Sequence, residues 1–217
     1  MISHHLEFAS AWLLFIALFA LYSPLAALSS YIPYVEGYSN AEQRKLAFGL
    51  FLNVLIMSMV ALWVGEPVLA LLGVSVPALA AVGGIALLLE AVPMMMGTAH
   101  HPSAPGLEGS TRAPWRSIVF TPITFPLTFG GTTFSFFVAY RAESNSWTGA
   151  IGLSVAALAY SALTGITLYA AGHVGRRVSP TTASLLEKIA GILLTAISVI
   201  LLASGGTRLV VNVLNSL

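Results

Sequence analysis

Pro122-Ile123-Thr124-Phe125-Pro126-Leu127-Thr128-Phe129-Gly130-Gly131-Thr132-Thr133 lies inside a long uncharged stretch, and Leu21-Tyr22-Ser23-Pro24-Leu25-Ala26-Ala27-Leu28-Ser29-Ser30-Tyr31 occupies the matching place in the first half of the chain. Both put helix breakers where a hydrophobic helix would otherwise run. Proline removes an N–H and clashes with the carbonyl four residues back. In lipid each unpaired backbone group costs several kcal/mol, so such a break survives only when buried in protein or lining a cavity. Interrupted helices at corresponding positions of two halves point to the binding site of a transporter.

The composition around these stretches sets the class. The chain has 217 residues, 57% hydrophobic and 8% charged, with a mean hydropathy of +0.89, against roughly 25% charged in soluble domains. A soluble core of this size cannot absorb so much apolar surface. One polytopic all-α membrane domain spanning 1–217 is expected, with the lipid bilayer as its surroundings. A net charge of +1 leaves no basic stripe for nucleic acid. With no Cys, disulfides, thiol relays and Cys-ligated metals are excluded. No Lys or Arg precedes Arg44, so a cleaved secretory leader is not expected and the first apolar segment should remain as a helix.

Six apolar runs are long enough, or nearly so, to cross a hydrocarbon core of about 30 Å. They are Phe8 to Ile32, Leu46 to Val64, Val76 to Met96, Ser117 to Tyr140, Trp147 to Ala171 and Ile189 to Ser204, the last borrowing Leu185 to Lys188. Glu66-Pro67 and Gly73-Val74-Ser75 punctuate an interfacial extension, Val68 to Leu72. The loops after the first, third and fifth runs carry Arg44, Lys45, Arg112, Arg116, Arg176 and Arg177, with Lys188 just beyond, whereas the other face has Arg141 and Arg208. The positive-inside rule places those three loops in the cytoplasm and both termini outside. Two three-helix units, about 8–96 and 117–205 and joined by a flexible linker at 97–116, must then be inverted relative to each other. Short traces agree: Pro24-Leu25 matches Pro126-Leu127, and Gly83-Gly84-Ile85 with Leu87 matches Ala190-Gly191-Ile192 with Leu194. Ordinary close packing of membrane helices explains the same glycines.

The candidate solute-binding residues are Ser23, Pro24, Leu25, Ala26 and Ser29 at the first break, and Pro126, Thr128, Gly130, Gly131 and Thr132 at the second. Hydroxyls, freed carbonyls and half-helix N-termini offer donors and acceptors without formal charge, which suits a small zwitterion. The competing reading of a lone Ser-Pro is a benign kink. Glu90 is the only acid inside a span and a candidate for proton coupling; its place about two turns from a helix end also fits an interfacial carboxylate. Glu187-Lys188 reads as an interfacial pair and Asn53 as an interhelical hydrogen bond. His4-His5 and His100-His101 lack the spacing and carboxylates of a metal site. Gly152-Leu153-Ser154 lacks a following Gly, and no span holds a His base, so an intramembrane serine protease is not expected. No enzyme activity, cofactor or metal is expected.

Gly65-Glu66-Pro67-Val68-Leu69, Leu72-Gly73-Val74-Ser75, Ala78 to Ile85 and the two broken segments resemble the MarC family of inner-membrane proteins, which includes the SnatA small neutral amino-acid transporters. That family's Pro-Leu-Ala-x-Pro-Leu-x-x-Gly-Pro-Gly is similar to Pro122 to Thr132, with Gly-Gly-Thr at its end. The Asn-Pro-x-Gly-x-x-Pro-x-Phe of its first helix is met by Ser23 to Tyr31, which keeps only the first proline. Lys188-Ile189-Ala190-Gly191-Ile192-Leu193-Leu194 resembles its sixth helix, where Arg usually stands for Lys188. The resemblance implies six helices in a 3+3 inverted repeat with the first and fourth discontinuous, a homodimer, and transport of small neutral amino acids such as glycine or alanine. A passive pore for a small polar molecule and a non-transporting scaffold are the alternatives.

Overall fold

The computed structural model describes residues 2–35, 37–98, 114–144, 146–174 and 180–215. Among them the chain is helical, without a strand. The elements are α1 (Ile2–Tyr22), α2 (Pro24–Val35), α3 (Asn40–Leu71), α4 (Val76–Met96), α5 (Trp115–Ile118), a π-helical segment (Val119–Thr128), α6 (Gly131–Glu143), α7 (Trp147–Val174) and α8 (Pro180–Asn215). Among the described residues four helices are long and apolar enough to cross a membrane alone, at Asn40–Leu71, Val76–Met96, Trp147–His173 and Gly191–Asn212, and Ser10–Tyr22 is a shorter apolar helix. Residues 99–113 and 175–179 lie outside the described residues, and with them His100-His101, Arg112, Arg176 and Arg177.

Local chemistry sets most boundaries. Ser39 opens α3 through a capping box, its hydroxyl accepting from Glu42 N while Glu42 Oε2 accepts from Ser39 N at 2.9 Å. Ser75 caps α4 by accepting from Ala78 N, and Gly97 closes it at φ 72°, the left-handed stop that glycine adopts without strain. The expected punctuation of the second run at Glu66-Pro67 is corrected: α3 continues through Pro67 to Leu71, and the turn at Gly73 (φ 70°) closes it, with Val74 N donating to Leu69 O at 2.9 Å. A single proline deletes one hydrogen bond, and near a helix end the freed carbonyl is within reach of interfacial water. The sixth run is also longer than expected, since α8 extends from Pro180 to Asn215.

The side-chain distribution is that of a lipid-facing protein. Leu52, Ile56, Leu89, Ile151, Ile166, Leu193 and Ile200 are exposed, whereas Ser58, Thr124, Ser161, Thr164 and Ser198 are buried. Apolar side chains gain nothing by avoiding lipid, so the helices are held together by close approach of small residues. The most extensive contact is between α4 and α8. A Cβ at Gly84 would stand 3.0 Å from Ser198 O, one at Gly205 2.8 Å from Pro77 O, and one at Gly191 would collide with Met95 N. As α4 advances, its partners on α8 recede in number, so the two are antiparallel. The same holds for α3 and α7, where Gly165 sits on Ala47 O and the Trp63 and Trp147 rings lie 5.7 Å apart. Trp63 also lies beneath the Arg141 guanidinium at 5.7 Å, beside the exposed Arg208–Glu143 pair at 3.2 Å. This end of the helices carries the aromatic and charged groups typical of a membrane–water interface.

Gly191→Val should therefore lower the melting temperature of the detergent-purified protein strongly, with an overpacking cost of about 1–3 kcal/mol. Gly206→Ala, whose Cβ meets nothing within 4 Å, should melt within a degree or so of the parent, on the order of experimental error for a substitution touching no neighbour.

Candidate functional site at two helix breaks

The two breaks have unequal geometry, and the sequence of each explains why. The first is a single residue. Ser23 adopts φ 44° between α1 and α2, a conformation that costs a non-glycine residue about 1–3 kcal/mol. Hydrogen bonding continues across it, with Ser23 N donating to Phe19 O at 3.0 Å and Ala27 N to Ser23 O at 2.9 Å. The first half-helix is therefore hinged rather than unwound.

The second break is long. Thr121 (φ −120°, ψ 121°) and Phe125 (φ −122°, ψ 128°) both leave helical space, and each directly precedes a proline. Proline's ring disfavours the α conformation of its predecessor and pushes it into this extended region. The stretch is thus a repeated tetrad, Thr121-Pro122-Ile123-Thr124 followed by Phe125-Pro126-Leu127-Thr128. Each tetrad ends in a threonine that mends the break it follows. Thr124 Oγ1 donates to Val119 O and Thr128 Oγ1 to Ile123 O, both at 2.6 Å, and Phe129 N reaches Thr124 O at 2.8 Å. Side-chain hydroxyls thus add hydrogen bonds within a segment whose backbone ladder the prolines interrupt.

Both hydroxyls retain acceptor capacity, and donors from the first half fill it. Asn53 Nδ2 donates to Thr124 Oγ1 at 3.2 Å, the interhelical bond expected of Asn53. Tyr31 lies 2.6 Å from Thr128 Oγ1. Because the single Thr128 hydrogen points to Ile123 O, Tyr31 must be the donor. Tyr22 donates to Tyr31 at 3.2 Å, and Tyr160 of α7 donates to the Thr128 carbonyl at 3.1 Å. Tyr22, Tyr31, Phe129, Phe137 and Tyr160 are buried around this chain, with Tyr22 edge-on to Tyr160 at 5.9 Å and Phe129 stacked on Phe137 at 5.9 Å.

Beyond Thr128 the backbone is extended at Phe129 and Gly130, and α6 starts at Gly131 without a side-chain cap. A Cβ at Gly131 would meet nothing within 4 Å. The positive end of α6 therefore opens onto space, an arrangement that attracts anionic groups. Of the candidates named from sequence, Ser23 and Pro24 form the first break, and Thr128, Gly130, Gly131 and Thr132 line the end of the second. The side chains of Leu25, Ala26, Ser29, Pro126 and Glu90 lie outside the described residues. What joins the two breaks is Tyr31, which binds Thr128 and receives Tyr22, while Asn53 of α3 binds Thr124 in the second segment. Tyr22 and Tyr31 were missed as site residues; the available signal was a pair of phenol hydroxyls flanking Ser23-Pro24 in an uncharged stretch. Among the described residues no group of three His, Asp or Glu could hold a metal ion.

An all-helical bundle with apolar surfaces and a hydroxyl network at two breaks defines a polytopic membrane protein. The family model described as MarC family integral membrane protein matches residues 8–210, and the chain belongs to that family. It is similar to the UPF0056 membrane protein YhcE of Escherichia coli (strain K12), 25% identical over 205 residues that cover 94% of this chain and 95% of that protein. A UPF0056 membrane protein of Aquifex aeolicus (strain VF5) is 27% identical over 194 residues, covering 88% of this chain and 89% of the relative. The UPF0056 inner membrane protein MarC of Salmonella paratyphi A is 20% identical over 200 residues, covering 88% and 90%. No solved structure matches the chain.

Replacing Thr124 by Val removes the hydroxyl that binds Val119 O and Asn53 Nδ2 and should destabilise the protein by about 1–3 kcal/mol, whereas Thr124→Ser should be close to the parent. A double-mutant cycle of Asn53→Ala with Thr124→Val, read by reversible unfolding in detergent, should return a coupling of about 0.6 kcal/mol, the average for interhelical membrane hydrogen bonds.

Proposed function

We propose that this chain is a secondary transporter or exporter of a small neutral solute, with glycine or alanine as its substrates, as the resemblance to SnatA-type proteins implies. The observation that carries the reading is the N-terminus of α6, which has no side-chain cap and at Gly131 has open space beside it. A solute carboxylate has a favourable partner there, and its ammonium has carbonyls at the interrupted backbone. The described residues of the network, Tyr22, Tyr31, Asn53, Thr124, Thr128 and Tyr160, carry no formal charge, which favours a solute that is neutral overall.

Alternating access about the two breaks is supported by the antiparallel pairing of α3 with α7 and of α4 with α8. In a 3+3 inverted repeat these are the equivalent helices of the two halves, and six crossings follow if α1–α2 and α5–α6 each span once. The charge count supports an inner-membrane protein with both termini outside. Glu90, in the last turns of α4, is the proposed coupling carboxylate. A homodimer is the proposed assembly, and neither catalysis nor a cofactor is part of the reading.

Proteoliposomes holding the purified protein should take up or exchange labelled glycine or alanine above empty vesicles. Gly131→Leu, whose Cβ meets nothing within 4 Å, should reduce that flux at least about tenfold, corresponding to about 1.4 kcal/mol or more, with the melting temperature measured alongside to confirm folding. Inactivity of the folded protein across a broad amino-acid panel would refute the proposal. Flux that runs without counterflow would assign a passive pore instead.

A further inference from the structure

We infer that the outward face of the second break, at Phe120, Thr121 and Phe125, is covered in the membrane by the same face of a second copy of this chain. This deepens the homodimer proposed above and rests on the chain spanning a bilayer, whatever solute it moves. Thr121 and Phe125, the two residues of the segment with non-helical backbone, are both exposed, whereas Ser23 at the first break is buried. Pro122 and Pro126, which follow them directly, bring no N–H to the ladder. Irregular backbone thus comes to the surface of the bundle here.

It does so at membrane depth. Thr124, between the two exposed positions, is bonded to Asn53 of α3. Asn53 stands eight residues past Lys45 and thirteen before Glu66, about 12 Å and about 20 Å along the axis at the helical rise. The whole interval from Lys45 to Glu66 is about 30 Å, the thickness of a hydrocarbon core, so Thr124 lies well inside it. Irregular backbone at that depth is tolerated only against protein or against water. The side chains decide between the two. Phe120 is 52% and Phe125 47% exposed, and a water-filled path along this face would wet both aromatic rings, which is unfavourable. Protein cover remains, and it must be apolar. A two-fold axis along the membrane normal brings Phe120 and Phe125 of one copy to the depth of the same residues in the other, where rings pair edge-on or offset. Both sides of such a contact come from one sequence, so a second copy suffices as the partner.

The absence of Cys from the chain allows a direct test. Phe120→Cys and Phe125→Cys, made singly in the full chain, should each give a covalent dimer of this polypeptide with a short bis-maleimide in native membranes. The yield should exceed that of Leu89→Cys or Ile200→Cys, exposed on α4 and α8, at least about fivefold, because an isologous contact brings only its own face together. In liposomes the parent should photobleach in two steps, and Phe120→Ala with Phe125→Ala should weaken dimerisation at least about tenfold. Should that double variant fail to fold, the single-Cys yields decide alone. Crosslinking to a different polypeptide, equal yields at Leu89 and Ile200, or a monomeric parent would overturn the inference. Rapid modification of Phe125→Cys by a membrane-impermeant maleimide would also overturn it, by assigning the face to water. A dimer formed through this face that moves no amino acid would uphold the interface and refute the proposed solute.

Discussion

Every backbone N–H and C=O inside a bilayer must find its partner within the protein, and the architecture around Thr121 to Gly131 follows from that requirement. Two prolines four residues apart each remove a donor, and each forces the residue before it out of the helix. The interrupted segment is tied locally by two threonine hydroxyls that reach back to Val119 O and Ile123 O. A threonine placed two residues after a proline is short enough to reach this carbonyl and still presents a lone pair outward. A hydroxyl that donates to its own backbone is thereby left as an acceptor toward the other half.

The first break obeys the same requirement with a different outcome. One proline and one left-handed serine bend the chain while leaving hydrogen bonds on either side, so α2 keeps its helical form. The second break alters the backbone itself, whereas the first keeps its helix and contributes side chains. The two halves therefore contribute different things to one place, carbonyls and a helix end from the second and phenol hydroxyls from the first. The bundle that holds them in register is assembled by small residues in antiparallel pairs. Backbone contact at Gly84, Gly191 and Gly205 is stiff because no side chain there can rearrange to relieve a shift.

Much of the fold was legible because membrane burial writes itself into long uncharged runs. The third run, Val76 to Met96, coincides with α4, bounded by a serine cap and a left-handed glycine that are both visible in the chain. Glu66-Pro67 misled because a proline reads as a stop, whereas near the end of a long helix it removes a single bond and the helix persists to Leu71. The site was legible in part. Thr128, Gly130 and Gly131 were singled out by their neighbourhood to Pro126, but Tyr22 and Tyr31 were not, since aromatic residues are expected in any apolar helix and nothing in a linear pattern says where a hydroxyl points.

By itself the sequence determined a helical membrane protein with two interrupted helices, because hydropathy, charge placement and proline act over a few neighbouring residues. Tertiary structure alone decided that the interruptions are joined through Tyr22, Tyr31 and Thr128, and that the first is a hinge while the second is unwound. Tyr31 and Thr128 are 97 residues apart. Their meeting depends on the packing of whole helices, and on which lone pair remains once the backbone of the second break has been satisfied.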